Sequence, residues 1–224
     1  GVYSINAANV TFLNQGDMVG SGTQLGIIIS QPTTTSGINA TNQGTMTWNN
    51  ALPNGWGLTS TVMLGYYTNN NLTSATFTND TAGQIFVNGT VNLPNGYATG
   101  GISVGARYGT AILDNKGSVT STSTSTNGLG YAEGIVAGGG NAQITNSGSV
   151  IVTANQGSSA TGIGINGLWT TGTTYINNSG TVTVSALGAD TQAVVINTLS
   201  TLATSAEIVN SGTIELKGGV TFSA

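Results

Sequence analysis

Along this chain, short runs of alternating apolar and polar residues recur at near-regular intervals, each starting just after an Asn-x-Gly tripeptide. The tripeptide stands at Asn14-Gln15-Gly16, Asn42-Gln43-Gly44, Asn115-Lys116-Gly117, Asn146-Ser147-Gly148, Asn178-Ser179-Gly180 and Asn210-Ser211-Gly212. A seventh copy, Asn79 to Gly83, is stretched by two residues. Successive glycines lie 28, 39, 34, 31, 32 and 32 residues apart. Two residues after each glycine come Met18, Met46, Ile85, Val119, Val150, Val182 and Ile214, all apolar. One residue after it come Asp17, Thr45, Gln84, Ser118, Ser149, Thr181 and Thr213, all polar. Alternation with period two predicts a strand with one face buried. Four residues before the glycine, in the unstretched copies, Phe12, Ala40, Leu113, Ile144, Ile176 and Ile208 form a second apolar column. Between copies lies a third apolar segment: Gly26-Ile27-Ile28-Ile29, Gly101-Ile102-Ser103-Val104, Gly134-Ile135-Val136, Gly162-Ile163-Gly164-Ile165 and Ala193-Val194-Val195-Ile196. No stretch has a period of 3.6 residues, so no helix is predicted.

One such unit cannot bury its own apolar columns, but stacked units can, with strands ~4.8 Å apart. The prediction is an all-β, right-handed parallel β-helix (β-solenoid) of about seven coils of roughly 32 residues, forming one domain over residues 1–224. The hand follows the usual chirality of parallel crossovers. Each corner Asn is expected to bond the local backbone and to form an Asn ladder through the stack. Each corner Gly is expected to supply positive φ. The extra length at residues 49–74 and 88–100 reads as loops, and the Thr/Ser run 120–127 as an exposed polar strand or loop.

Composition narrows the function. Only 4% of residues are charged, and the basic ones are Arg107, Lys116 and Lys217. Without a basic stripe to displace phosphate counterions, nucleic acid is excluded as a partner. No apolar run reaches the ~18 residues of a membrane helix, so membrane insertion is not expected. Cys and His are both absent, which removes thiol nucleophiles, disulfides and the commonest general base.

The clearest copies, Ala142-Gln143-Ile144-Thr145-Asn146-Ser147-Gly148-Ser149-Val150 and Ala206-Glu207-Ile208-Val209-Asn210-Ser211-Gly212-Thr213-Ile214, resemble the repeats of bacterial autotransporter passenger domains and related large surface adhesins. The resemblance spans nearly the whole chain. It implies a right-handed β-helix at an extracellular or bacterial cell-surface location. The family's C-terminal translocating barrel has no counterpart in these residues.

Motifs that could suggest chemistry lose their context. Gly101-Ile102-Ser103-Val104-Gly105 fits a nucleophile elbow, but that device needs a His base and a strand-to-helix turn. Gly162-Ile163-Gly164-Ile165-Asn166-Gly167 fits a dinucleotide fingerprint without its helix. A glycosidase needs two converging carboxylates, and the acids here fall in different columns. No catalytic residue, cofactor or metal is therefore assigned, and the expectation is a non-enzymatic structural or adhesive protein. Trp48, Trp56, Tyr66, Tyr67 and Tyr97 are the candidate partner contacts, since aromatic rings stack on sugars and anchor interfaces. The expected partner is a host or cell-surface glycan or protein, or the chain itself stacking end to end. Alternatives are a self-assembling filament or surface-layer subunit, a polysaccharide-acting enzyme, and an ice-binding solenoid. For the last, Thr45/Thr47, Ser118/Thr120 and Thr181/Thr183 hint at the required array, while Asp17/Val19, Gln84/Phe86 and Thr213/Glu215 break it.

Overall fold

The computed structural model describes residues 2–5, 9–22, 28–31, 37–52, 59–65, 72–91, 97–125, 130–155, 159–166, 171–187, 193–199 and 203–218. All the secondary structure among them is strand or tight turn. In chain order the strands are β1 (Val2–Ile5), β2 (Asn9–Asn14), β3 (Asp17–Gly22), β4 (Ile28–Gln31), β5 (Gly37–Asn42), β6 (Thr45–Leu52), β7 (Thr59–Leu64), β8 (Ser74–Asn79), β9 (Gln84–Val91) and β10 (Tyr97–Asn115). There follow β11 (Ser118–Ser125), β12 (Gly130–Asn146), β13 (Ser149–Asn155), β14 (Ser159–Asn166), β15 (Thr173–Asn178), β16 (Thr181–Ala186), β17 (Ala193–Leu199), β18 (Ser205–Asn210) and β19 (Thr213–Lys217).

These strands stack in parallel on three faces, as a β-solenoid. One face runs β1-β4-β7-β10-β12-β14-β17. A second carries β2, β5, β8, the later parts of β10 and β12, then β15 and β18. The third is a separate seven-stranded sheet, β3-β6-β9-β11-β13-β16-β19. The register keeps the sequence columns intact. Met18 pairs with Met46, and the column continues through Ile85, Val119, Val150 and Val182 to Ile214. Phe12 pairs with Ala40, continuing through Phe77, Leu113, Ile144 and Ile176 to Ile208. Phe77 supplies the rung that the stretched fourth-before-glycine count passes over. Inside the stack these positions are fully buried, and a slip of one residue would turn each column toward water.

Between the second face and the third lies the Asn-x-Gly corner. Each Asn side chain donates to the next one along the stack: Asn14 to Asn42 (2.8 Å), Asn42 to Asn79 (2.9 Å), Asn79 to Asn115 (2.8 Å), Asn115 to Asn146 (2.7 Å), Asn146 to Asn178 (2.7 Å) and Asn178 to Asn210 (2.7 Å). Every Nδ2–H points toward the C-terminal end, so the ladder is polar along its length. The stretched copy joins in because its two extra residues form a turn, closed by a Gly83 N–H to Asp80 C=O bond of 2.7 Å. Asn79 thus keeps its rung.

The corner glycines serve a different purpose from the expected one. Positive φ occurs, among the described residues, only at Gly65 and Gly218. A corner glycine is needed for close approach instead. A Cβ at Gly44, Gly117, Gly148, Gly180 or Gly212 would collide with the carbonyl oxygen of the preceding corner's glycine. That same carbonyl accepts the N–H of the residue after the glycine, as in Ser149 to Gly117 (2.9 Å) and Thr181 to Gly148 (2.9 Å).

Two other expectations are corrected. Residues 49–74 are not one loop: β6 runs on to Leu52, and β7 carries Val62 and Leu64 into the core. Residues 88–100 likewise hold the end of β9 and the start of β10. The low-complexity run is strand β11 as far as Ser125, and Ser121 and Ser123 face inward and are fully buried.

Candidate functional site

The sequence-predicted contacts divide sharply. Trp48 is 7% exposed and belongs to the core, so it is not a surface contact. It stands four residues after Gly44, with the same inward parity as Met46, which lies two after. Its indole needs space on the rung below, and Gly20, its register partner, provides it: a Cβ there would collide with the ring. Tyr97 opens β10, and its side chain is not among the described ones. Trp56, Tyr66 and Tyr67 lie outside the described residues. The tyrosines that the structure does expose are Tyr108 (67%) and Tyr131 (47%), with the Arg107 guanidinium 5.2 Å from the Tyr108 ring centroid.

The nucleophile-elbow match lies inside strand β10, where Ser103 is buried and its Oγ is 2.7 Å from Ser60 Oγ. Asp114 pairs with Lys116 at 3.2 Å and Glu215 with Lys217 at 3.0 Å, both on the surface. Glu133 is different. It lies on β12 between Gly100 and Thr161 and keeps partial contact with solvent, yet burial pushes its carboxyl up to about 7. Asp80, at the stretched corner, is held below the usual carboxylate range by the Thr81 N–H and the Gln43 side chain.

Among the described residues, a further surface feature lies on the outside of the seven-stranded sheet. Strands β6, β9, β11, β13 and β16 contain no charged residue at all; charge enters this sheet only on its edge strands, at Asp17, Glu215 and Lys217. Five residues after each corner glycine, Ser21, Asn49, Asn88, Thr122, Thr153 and Ser185 stand side by side, ending at Lys217. Asn88 Nδ2 donates to Asn49 Oδ1 at 3.1 Å. Around this pair lies a groove of about 550 Å³ lined by Ser21, Asn49, Asn88, Gly89, Thr90, Thr122 and Thr124. The groove thus offers neutral hydroxyl and carboxamide groups at strand spacing. Phe86, on the same outer face two residues before Asn88, is half-buried. Sequence reading missed this site because no single residue in it is unusual. Odd parity from the corner glycine was the signal that would have found it.

No family model, curated protein or solved structure matches the chain.

Proposed function

We propose that this chain is a non-enzymatic structural and adhesive β-solenoid of the bacterial exterior, with the groove on the seven-stranded sheet as its contact surface for an uncharged, hydroxyl-rich partner such as a neutral glycan. The observation that carries the reading is the width of the uncharged face: five adjacent strands without one ionisable side chain, bordered at the corner by an unbroken Asn ladder. A rigid border matters, because a surface held in one arrangement loses little entropy on binding. A neutral face also avoids the desolvation cost that charged groups would incur against an uncharged partner. Absence of Cys fits a chain that crosses an envelope without premature cross-linking.

The test displays the chain on a non-adherent bacterium and measures retention on surfaces coated with a neutral or a sulfated polysaccharide. Retention on the neutral surface, reduced by the N49A/N88A pair, is expected. Retention equal to cells without the chain overturns the adhesive reading, and cleavage of the bound polysaccharide overturns the non-enzymatic one.

A further inference from the structure

We infer that the occupant of the neutral face is an extended, uncharged, equatorially linked pyranose ribbon of the β-1,4-glucan kind, lying along the solenoid axis and across the strands. The inference rests on the neutral-glycan reading of the groove and deepens it.

The pattern that carries it is the outer row three residues after each corner glycine. In register this row reads Val19, Thr47, Phe86, Thr120, Ile151 and Thr183. Apolar side chains and threonines alternate rung by rung. The row points outward, because it alternates along the strands with the buried Met46, Ile85, Val119, Val150 and Val182. Val19 and Ile151 are 75% and 39% exposed, and Phe86 is half-buried. Like members of the row recur every second rung, ~9.6 Å apart at the ordinary strand spacing. The apolar residues that spoil a plain threonine array are thus themselves periodic.

The rows on either side are polar throughout. Toward the corner stand Thr45, Gln84, Ser118, Ser149 and Thr181; on the far side runs the row from Asn49 to Ser185. Each is two residues along the strand from the alternating row, ~6.6 Å away. Strands β6, β9, β11, β13 and β16 carry no charge in any of these rows. The face is therefore studded with apolar groups along its midline and lined with hydroxyls and carboxamides along both margins. That midline runs with the stack.

A pyranose chain whose links and hydroxyls are all equatorial has the matching form. Its rings present C–H groups on their faces and hydroxyls along both edges. Fully extended, it turns over at every link, so its shape repeats every second sugar, a length close to two rungs of this solenoid. One ring stacks on Phe86, and the ring two sugars further on lies over Ile151. Edge hydroxyls reach Asn49 and Asn88 on one margin, and Gln84 and Ser118 on the other. Asn88 Nδ2 donates to Asn49 Oδ1 at 3.1 Å, which fixes both carboxamides and leaves each with further hydrogen-bonding capacity. An α-1,4-linked chain of the same sugar coils away from a straight track, and an ionised chain meets no counter-charge on these five strands.

The test is isothermal titration calorimetry of the 224-residue chain with cellohexaose, cellobiose and maltohexaose. The two hexasaccharides share composition and charge and differ in shape. Cellohexaose should bind about 10-fold more tightly than either of the others, because only it covers Phe86 and Ile151 together. The discriminating variant is Ile151→Thr. Ile151 is exposed, stands between Thr120 and Thr183, and lies outside the groove lining, so the melting temperature should hold. The variant should weaken cellohexaose about 5-fold and leave cellobiose unchanged. Maltohexaose binding as tightly as cellohexaose overturns the ribbon and leaves the neutral-glycan groove standing. So does a cellohexaose affinity that N49A/N88A lowers and Ile151→Thr does not. No binding by any of the three also overturns the ribbon, and the groove reading then rests on the retention assay alone.

Discussion

Replacing Asn146 by Ala tests whether the corner ladder holds the stack together or merely decorates it. Asn146 is fully buried, accepts from Asn115 at 2.7 Å and donates to Asn178 at 2.7 Å. The Ala variant removes one side chain but strands two buried groups, Asn115 Nδ2 and Asn178 Oδ1. Leaving a buried polar group unsatisfied costs about 1–3 kcal/mol. Asn115 Nδ2 keeps a long 3.4 Å contact with the Ser149 carbonyl, which places its loss at the low end of that range. The sum is a destabilisation of about 3 kcal/mol, a large part of the ~5–15 kcal/mol of a typical domain. Asn14→Ala, at the end rung, leaves Asn42 Oδ1 with the Gly44 N–H at 3.3 Å, the Gly16 carbonyl with the Thr45 N–H at 3.1 Å and the exposed Gly16 N–H to water, and should cost about 1 kcal/mol. Asn146→Asp sharpens the test. Its carboxylate would face Asn178 Oδ1, acceptor against acceptor, so at pH 7 it should be less stable than the Ala variant. At pH 4 a protonated Asp can donate, and part of the loss should return. Urea unfolding followed by circular dichroism measures all three. Amide hydrogen exchange of the flanking strands checks that loss is local, since stacked repeats can open in sections. Equal, small effects at Asn146 and Asn14, both below 1 kcal/mol, would refute the ladder argument.

Gly148→Ala places a methyl against the Gly117 carbonyl, a backbone atom held by the Ser149 N–H, and should cost about 3 kcal/mol in the same urea assay, while Gly16→Ala costs nothing measurable. Ser123 Oγ is buried without a hydrogen-bond partner, so Ser123→Ala should raise stability by about 1 kcal/mol; a loss of that size would mean the hydroxyl is satisfied. Glu133 titrates higher in the folded chain, about 7 against 4.5, so the folded state holds the proton longer than the unfolded state. Stability should accordingly fall as pH rises from about 4.5 to 7 and level off above, by up to about 3 kcal/mol; partial solvent contact makes that an upper value. Glu133→Gln should remove this slope, stabilising the protein at pH 8 and not at pH 4, and thermal melts at the two pH values decide it.

The fold was legible in the sequence because a solenoid uses one local rule many times. Parity counted from the corner glycine assigned the inner columns correctly, from Met18 to Ile214 and from Phe12 to Ile208. The Asn ladder followed from the same repetition. The same parity also contained what the reading passed over: Trp48, Ser121 and Ser123 stand at even offsets from their glycines and point inward. Residue type drew attention to the indole as a contact and to the hydroxyls as surface, where position would have buried them. Strand β7 was missed for the opposite reason. Its Ser60-Thr61-Val62 lacks the glycine that leads the copies at Gly26, Gly101, Gly134 and Gly162, so the segment read as loop.

By itself the sequence determined the repeat, the strand parity, the two corner columns and the absence of thiol and imidazole chemistry. Each of these depends only on spacing along the chain or on composition. Tertiary structure alone decided why the corner needs glycine, since the obstructing atom is a carbonyl about 30 residues away rather than a neighbour's φ. It alone decided the direction of the ladder, because a carboxamide can present either end and only the stacked rungs choose one. And it alone gathered Ser21, Asn49, Asn88, Thr122 and Thr124 into one uncharged groove, because neighbours across a parallel sheet are set by register between coils, which no local pattern records.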